Sequence, residues 1–293
     1  MQTEGKRLYL CFFSGLPGVG KTTLLEGLQN HYSKQGTGIE IASSDECRSL
    51  AIQGEIEAKG LLRGDLSEAE LYQLELDLGK QTKERLVLHV KEKLARLGKG
   101  GCKRNIFILD KNFSDQALVD QVFKAAKELF LENSITAVVF VADDVSLIRQ
   151  SPFYPFSFDT VIISLARSLN RGSHPTMNNG YRHSIMSHIN CLLRSCADDF
   201  DAKYPQSKFH YLQVNYYDEK RLRDLEKDSE GKKAFSKLNS ILLPIIRGEA
   251  KMEHHFEEIY NQCKVCQSFT REPYLDVDNF IEQLDIALED WSN

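Results

Sequence analysis

Short apolar segments alternate with longer amphipathic segments along most of the chain. The short segments are continuously apolar or nearly so, a pattern typical of strands buried on both faces of a sheet. They are Leu8–Ser14, Ile39–Ala42, Asn105–Asp110, Ile135–Ala142 and Phe209–Val214. The longer segments have the apolar spacing of helices, and Leu66–Leu97 is predicted as one long helix. The others are Thr22–Tyr32, Asp115–Leu131, Phe158–Leu169 and Tyr181–Phe200.

Strands that alternate with helices predict an α/β fold with a mostly parallel, five-stranded sheet flanked by helices. Beyond Tyr216 the chain is charge-dense and helical, and it ends in an amphipathic segment, Val277–Trp291. We therefore expect a single domain over residues 1–293, with a core of about 7–216 and a C-terminal helical extension of about 217–293. A separate small C-terminal domain is the alternative.

Composition indicates a soluble globular protein, because 42% of the residues are hydrophobic and 27% are charged. The longest apolar segment, Ile135–Ala142, is far shorter than the ~20 residues of a membrane helix, so no membrane span is expected. Seven cysteines, an odd number scattered along the chain, argue against a disulfide framework. An intracellular location, in the cytoplasm or the nucleus, is therefore predicted.

The strongest chemical signal is Gly15-Leu-Pro-Gly-Val-Gly-Lys-Thr22, which matches the phosphate-binding P-loop G-x-x-x-x-G-K-[ST] between a buried strand and a helix. Its glycines let successive N–H groups point at phosphate oxygens, and the helix N-terminus adds its dipole. Lys21 is expected to reach the β- and γ-phosphates, and the Thr22 hydroxyl to ligate Mg²⁺. The predicted nucleotide-binding residues are Gly15, Gly18, Val19, Gly20, Lys21, Thr22 and Thr23.

Two features favour transfer of the γ-phosphate to a substrate hydroxyl. Asp45 follows the second strand, at the carboxyl edge of the sheet, where a carboxylate can accept a hydroxyl proton. Arg167 and Arg171 end a helix at a glycine-containing turn and are expected to form a lid over the phosphates. Each feature has a plain structural alternative: Asp45 as a helix N-cap, and the arginines as residues that complement a helix dipole.

Positive charge is concentrated around that turn, although the chain carries a net charge of −5. Residues 160–197 contain no Asp, Glu or Lys, and they contain Arg167, Arg171, Arg182 and Arg194 together with three histidines. This basic stretch indicates anion handling, and an ordinary basic helix is the alternative interpretation.

Taken together, these motifs resemble the polynucleotide kinase domain of fungal- and plant-type tRNA ligases. Leu109-Asp-Lys-Asn112 is similar to the motif that follows that family's third strand, and Arg167-Ser-Leu-Asn-Arg-Gly-Ser-His-Pro175 is similar to its arginine-rich lid. Ser173 stands where that family usually has asparagine. Asp45-Glu-Cys-Arg48 resembles the Asp-x-x-Arg of phage-type polynucleotide kinases. The likeness covers about residues 8–214.

The resemblance implies a P-loop kinase fold and phosphorylation of a 5′-hydroxyl RNA end, as in tRNA splicing or RNA repair, with Mg²⁺ and with GTP or ATP as donor. It implies catalytic roles for Lys21, Asp45, Arg167 and Arg171. The residues implied in substrate binding are Arg48, Asp110, Lys111, Asn112 and His174. Asp110 has a second interpretation, because a carboxylate at the end of this strand in P-loop proteins more often holds the magnesium shell. In that family the kinase lies between ligase and phosphodiesterase modules, and the motifs of neither are found here. The chain is therefore either an excised domain, with such modules elsewhere in the full-length protein, or a stand-alone kinase.

Two other functions share the P-loop. A kinase of a small molecule or an aminoacyl-tRNA would use Lys21, Thr22 and Asp45 without needing the arginines. A nucleotide-hydrolysing switch would need a residue that orients water, but Lys111 stands directly after Asp110.

Cys263-Lys-Val-Cys266, with two adjacent histidines upstream, has poor spacing for zinc, so no metal is predicted there.

Overall fold

The computed structural model describes residues 5–111, 114–169, 180–216, 223–225, 227–270 and 275–291. Five strands form one parallel sheet in the order β2-β3-β1-β4-β5. The strands are β1 (Arg7–Ser14), β2 (Gly38–Ser43), β3 (Arg104–Asp110), β4 (Ile135–Val141) and β5 (Phe209–Gln213). The predicted α/β class and the five-stranded parallel sheet are confirmed.

The register of the first three strands fixes which residues meet at the carboxyl edge of the sheet. Phe12 of β1 is opposite Leu109 of β3, and Ser43 of β2 is opposite Asp110 of β3. Residues that directly follow these strands therefore start from one edge, the edge at which ligands bind in open α/β sheets.

Helices connect the strands and form the C-terminal part of the chain. They are α1 (Lys21–Lys34), α2 (Ser44–Ala58), α3 (Glu68–Asp77), α4 (Gly79–Lys99), α5 (Gln116–Lys127), α6 (Phe158–Leu169), α7 (Gly180–Ala197), α8 (Phe200–Lys203), α9 (Ser229–Ile246), α10 (Phe256–Thr270) and α11 (Val277–Asp290).

The prediction of a single helix over Leu66–Leu97 is wrong, because the backbone breaks at Leu78 and two helices form. Ser67 starts α3 by accepting a hydrogen bond from the Glu70 N–H, while the Glu70 carboxylate accepts one from the Ser67 N–H. Gly79, a weak helix former, begins α4. The apolar spacing continues across the break, so periodicity alone does not detect it.

The chain divides into two compact units. The first contains described residues of 5–13 and 29–138. Within it, α3 packs on α2 around a small apolar cluster. The cluster consists of Ala51, Ile52, Ile56 and Leu78, with Leu66, Leu71 and Leu74 packed against it.

The second unit contains residues 14–28 and described residues of 139–169 and 180–291. Its core joins α6, α7, α9 and α10, with Leu16 of the glycine loop among the buried members. This unit includes residues on both sides of position 217, where the helical extension is predicted to begin. The prediction of a single domain stays a prediction.

Candidate phosphate-binding site

The glycine loop between β1 and α1 has the backbone shape that phosphate binding requires. Gly18 and Gly20 have φ values of 87° and 112°, in the left-handed region that glycine adopts without strain. Because α1 begins at Lys21, the N–H groups of its first turn and the positive end of its dipole follow the loop directly. This arrangement provides an anion site at a helix N-terminus.

The side chain of Lys21 is folded over this loop. Its ammonium donates a 2.8 Å hydrogen bond to the Leu16 carbonyl oxygen, and the residue is 8% exposed. A Cβ on Gly15 would lie 3.9 Å from Lys21 Nζ, so the lysine side chain passes beside the first glycine of the loop. Thr22 and Thr23 are exposed in the first turn of α1. A Mg²⁺-bound nucleoside triphosphate fits these residues, with the phosphates on the loop and Lys21 and the metal on the Thr22 hydroxyl.

Helix α6 forms the wall on which this loop rests. A Cβ on Gly18 would lie 2.3 Å from the Ser164 carbonyl oxygen and 2.9 Å from the Ser168 nitrogen. Both are backbone atoms of a regular helix and cannot move aside. Glycine is therefore required at position 18 for two reasons, the close approach and the positive φ.

Arg167 of the same helix reaches the loop. Its Nη1 donates a 2.7 Å hydrogen bond to the Tyr216 carbonyl oxygen and lies 3.5 Å from the Val19 carbonyl oxygen. Arg167, a predicted catalytic residue, is thus held at the P-loop by contacts between its side chain and two backbone carbonyl oxygens.

Tyr216 is a member of the site that sequence reasoning missed. It is 1% exposed, and its Cδ1 would lie 3.6 Å from a Cβ on Gly20, so the ring packs against the loop. The only sequence signal for it is an aromatic residue just beyond the fifth strand, at the carboxyl end where ligands bind.

In the first compact unit, the predicted carboxylates follow β2 and β3. Asp110 accepts a 2.9 Å hydrogen bond from the Ser43 hydroxyl, its register partner. Asp45 lies in the first turn of α2, with an ion pair of 3.5 Å to Arg48 one turn later. Both side chains of that pair are about two-fifths exposed, at 43% and 37%. Asp45 and Arg48 therefore share a partly exposed helix face.

Glu75 joins this charged group and was also missed by sequence reasoning. It lies in α3, and its carboxyl is close enough to Asp45 and Arg48 of α2 to feel their charges. Burial raises the pKa of this carboxyl, Arg48 and Arg63 lower it, and Asp45 raises it further. The sequence gives no sign that Glu75 lies beside Asp45 and Arg48, because Glu75 is in the segment that was predicted as one continuous helix.

The remaining predicted substrate residues are only partly described. Lys111 is half-buried directly after β3, and its N–H donates a 3.2 Å hydrogen bond to the Leu109 carbonyl oxygen. Asn112, Arg171 and His174 lie outside the described residues.

No protein-family model matches the sequence, and no curated protein matches it. The solved structures that resemble the chain include two kinases. One is a fungal RNA kinase, with a TM-score of 0.38, 12% identity, and coverage of 92% of this chain and 100% of that one. The other is a gluconokinase from Sinorhizobium meliloti 1021, with a TM-score of 0.32, 10% identity, and coverage of 71% and 82%. At these identities the likeness concerns the fold alone.

The fold is of the P-loop α/β type. The five-stranded parallel sheet and the strand–loop–helix arrangement of its glycine loop carry that assignment.

The predicted basic stretch is divided among several environments. Arg167 lies at the P-loop, whereas Arg182 is exposed and pairs with Glu257 at 3.8 Å. Arg194 is also exposed on α7. His188 is fully buried, with Nε2 3.4 Å from the Ser164 hydroxyl. The stretch is therefore not one continuous anion surface within its described residues.

The two cysteines of the C-x-x-C motif lie inside the core of the second unit. Cys263 and Cys266 are both 0% exposed. Burial raises the pKa of both thiols, that of Cys266 to about 11, so the thiolate forms that bind metals or attack disulfides are disfavoured. Among the described residues, no group of three or more potential ligands could hold a metal ion.

In the described part of the chain, no helix combines the length and the hydrophobicity of a membrane span.

Proposed function

We propose that the chain is a polynucleotide 5′-hydroxyl kinase that transfers the γ-phosphate of GTP or ATP to the 5′-hydroxyl of an RNA. The observation that carries the phosphotransferase part is the P-loop itself, with Lys21 folded over the glycines and Arg167 brought to the same loop. The RNA part is supported by the sequence motifs around Asp45, Asp110 and Arg167.

On the donor side, the loop N–H groups and the ammonium of Lys21 hold the β- and γ-phosphates. Mg²⁺, held through the Thr22 hydroxyl, neutralises charge on those phosphates when it is bound. Arg167 adds positive charge where the transferred group develops negative charge, as an arginine finger supplied in cis. Its hydrogen bonds to backbone carbonyls orient the guanidinium against the loop.

On the acceptor side, Asp45 takes the proton of the 5′-hydroxyl during attack. The attack forms a bond between the 5′ oxygen and the γ-phosphorus and breaks the bond to the β–γ bridging oxygen, releasing the nucleoside diphosphate. Arg48, one helical turn after Asp45, holds a phosphate of the RNA strand. Asp110, hydrogen-bonded by Ser43, supports the metal side of the reaction.

The RNA substrate class is supported by motifs at three separate places in the chain. Asp45 and Arg48 have the spacing of the phage-type kinases, and both lie on one exposed helix face. Lys111 and Asn112 come after the third strand in the sequence, and the arginine-rich segment 167–175 begins within α6, at Arg167. Exon halves of tRNA, with ligase and phosphodiesterase modules supplied alongside, are the substrates and partners that this proposal implies.

The test incubates the full chain with γ-labelled ATP or GTP, Mg²⁺ and a short RNA with a 5′-hydroxyl end. Label on the RNA is the expected result. An RNA of the same sequence with a 5′-phosphate is the matched substrate control and should take no label. Lys21→Ala is the matched protein control and should lose transfer by a factor of at least about 10².

Other outcomes identify the alternatives. Label released as inorganic phosphate at the same rate with and without RNA would indicate a hydrolysing switch. Transfer to a small hydroxylated acceptor or to aminoacyl-tRNA, with none to the RNA end, would indicate the other kinase class. Either result would overturn the RNA 5′-kinase proposal.

A further inference from the structure

A buried carboxylate just after β4 is engaged by none of the roles proposed above. Asp143 follows β4 at the carboxyl edge of the sheet and is only 5% exposed. Buried carboxylate oxygens need hydrogen-bond donors in place of the water that they lose on folding.

Both carboxylate oxygens of Asp143 are engaged by the start of α6. Oδ2 accepts a 2.9 Å hydrogen bond from the Ser157 N–H, and Oδ1 accepts a 3.1 Å hydrogen bond from the Thr160 hydroxyl. Asp143 is thus attached to α6 through one backbone donor and one side-chain donor.

These bonds are not needed simply to begin the helix. The Ser157 hydroxyl already accepts a 3.1 Å hydrogen bond from the Thr160 N–H, which is the usual N-cap arrangement. The bonds to Asp143 add something different: they attach the first turn of α6 to the end of β4, fourteen residues earlier in the chain for Ser157.

The position of α6 in turn determines the shape of the P-loop. Ser164, one helical turn after Thr160, presents the carbonyl oxygen against which Gly18 rests. Arg167, a further turn on, contacts the Val19 carbonyl. Because a helix transmits displacement along its axis, a shift at its first turn moves the surface that supports the loop.

We propose that Asp143 is a positioning residue that fixes α6 against the P-loop and thereby sets the affinity for the nucleotide donor. This inference rests on the proposed function in so far as the loop binds a nucleotide. Misplacement of binding groups by about 1 Å can cost on the order of 10²-fold in rate, so even a small shift of α6 should be measurable.

The test compares Asp143→Ala with Asp228→Ala. Asp228 caps α9 by accepting a 2.7 Å hydrogen bond from the Gly231 N–H, so its removal costs a helix cap but leaves both hydrogen bonds at the start of α6 in place. We expect Asp143→Ala to raise the Kd for Mg²⁺–ATP or Mg²⁺–GTP at least tenfold. Asp143→Asn, which keeps one acceptor oxygen, should recover most of the affinity, and Asp228→Ala should leave Kd within twofold of the parent. Equal Kd values for Asp143→Ala and Asp228→Ala would overturn the proposal.

A second measurement needs no nucleotide and separates this inference from the proposed function. Amide hydrogen exchange of residues 15–21 should be faster in Asp143→Ala and unchanged in Asp228→Ala. If the parent binds no nucleotide, the proposed function fails while the exchange result still decides the role of Asp143.

If Asp143→Ala does not fold, Thr160→Val, which removes only the hydroxyl donor, should raise both the Kd and the exchange rate about threefold. Values equal to those of the parent would overturn the inference.

Discussion

Arg167 donates a 2.7 Å hydrogen bond to the backbone carbonyl oxygen of Tyr216. The same nitrogen lies 3.5 Å from the carbonyl oxygen of Val19. One guanidinium therefore links α6, the P-loop and the segment that follows β5. Both contacts come from one nitrogen, and the guanidinium carries further N–H donors on its other two nitrogens, which a lysine ammonium lacks.

Replacement of Arg167 should therefore slow transfer even when positive charge is retained. We expect Arg167→Ala to lower kcat about 10³-fold, by analogy with the effect of arginine fingers on transition-state charge. Arg167→Lys should remain well below the parent because an ammonium that makes both backbone contacts has only one N–H left for a phosphate. Steady-state kinetics with varied donor and RNA concentrations would check this. A variant that changes only the KM for RNA would make Arg167 an acceptor-binding residue.

Alanine at Gly18 should disturb the loop more than alanine at another left-handed glycine. Gly36, after α1, has a φ of 70°, and a Cβ there would have nothing within 4 Å, so Gly36→Ala measures backbone strain alone. That strain is about 1–2 kcal/mol. Gly18→Ala adds the clash with Ser164 and should lower the unfolding free energy further and weaken nucleotide binding at least tenfold. Denaturant unfolding and nucleotide titration are the measurements; equal effects of the two variants would contradict the role of α6 as the wall.

Asp45→Asn should separate chemistry from donor binding. Removal of a general base typically costs ~10² to 10⁴ in rate, and Asn keeps the size and hydrogen-bonding capacity of the side chain. We expect nucleotide affinity near that of the parent and transfer to RNA reduced within that range. Ser44→Ala, at the neighbouring position in α2, is the control. Near-parental transfer with lost Mg²⁺–nucleotide affinity would exchange the roles of Asp45 and Asp110.

The pKa of Glu75 determines the direction in which its contribution to the free energy of unfolding changes with pH. Burial, the largest influence, raises the pKa of its carboxyl above the usual 4.5, so the folded chain binds this proton more tightly than the unfolded chain. Its ionisation therefore costs stability as pH rises from about the unfolded value through the raised folded value. Glu75→Gln should be stabilised relative to the parent more at pH 7 than at pH 4. Denaturant unfolding at both pH values tests this, and a reversed difference would show that Arg48 and Arg63 outweigh burial.

The sheet and the P-loop could be predicted from local sequence because each depends on short-range chemistry. Continuously apolar segments are required for strands buried on both faces, and the glycine spacing around Lys21 is required for the phosphate loop. The break at Leu78 was missed because apolar periodicity continues across it. The cap at Ser67 and the glycine at position 79 are the local signs of two helices.

The parts that could not be predicted depend on contacts between distant segments. Tyr216 packs against Gly20 although nearly two hundred residues separate them in the sequence. The role of Asp143 depends on its hydrogen bonds to the start of α6. His188 shows that a sequence pattern can also suggest a binding residue that the fold does not expose. A histidine in a basic stretch suggests anion binding, but the fold buries this one completely. Charge along a sequence does not indicate which side chains face solvent.

The most direct test of the account is the location of the transferred phosphate. After reaction of γ-labelled donor with a 5′-hydroxyl RNA of known sequence, complete digestion to nucleoside 5′-monophosphates should place the label on the first nucleotide only. The proposed function predicts that result for the parent chain and its loss in Lys21→Ala. Label recovered as inorganic phosphate or in a small acceptor, with the 5′ nucleotide unlabelled, would contradict it.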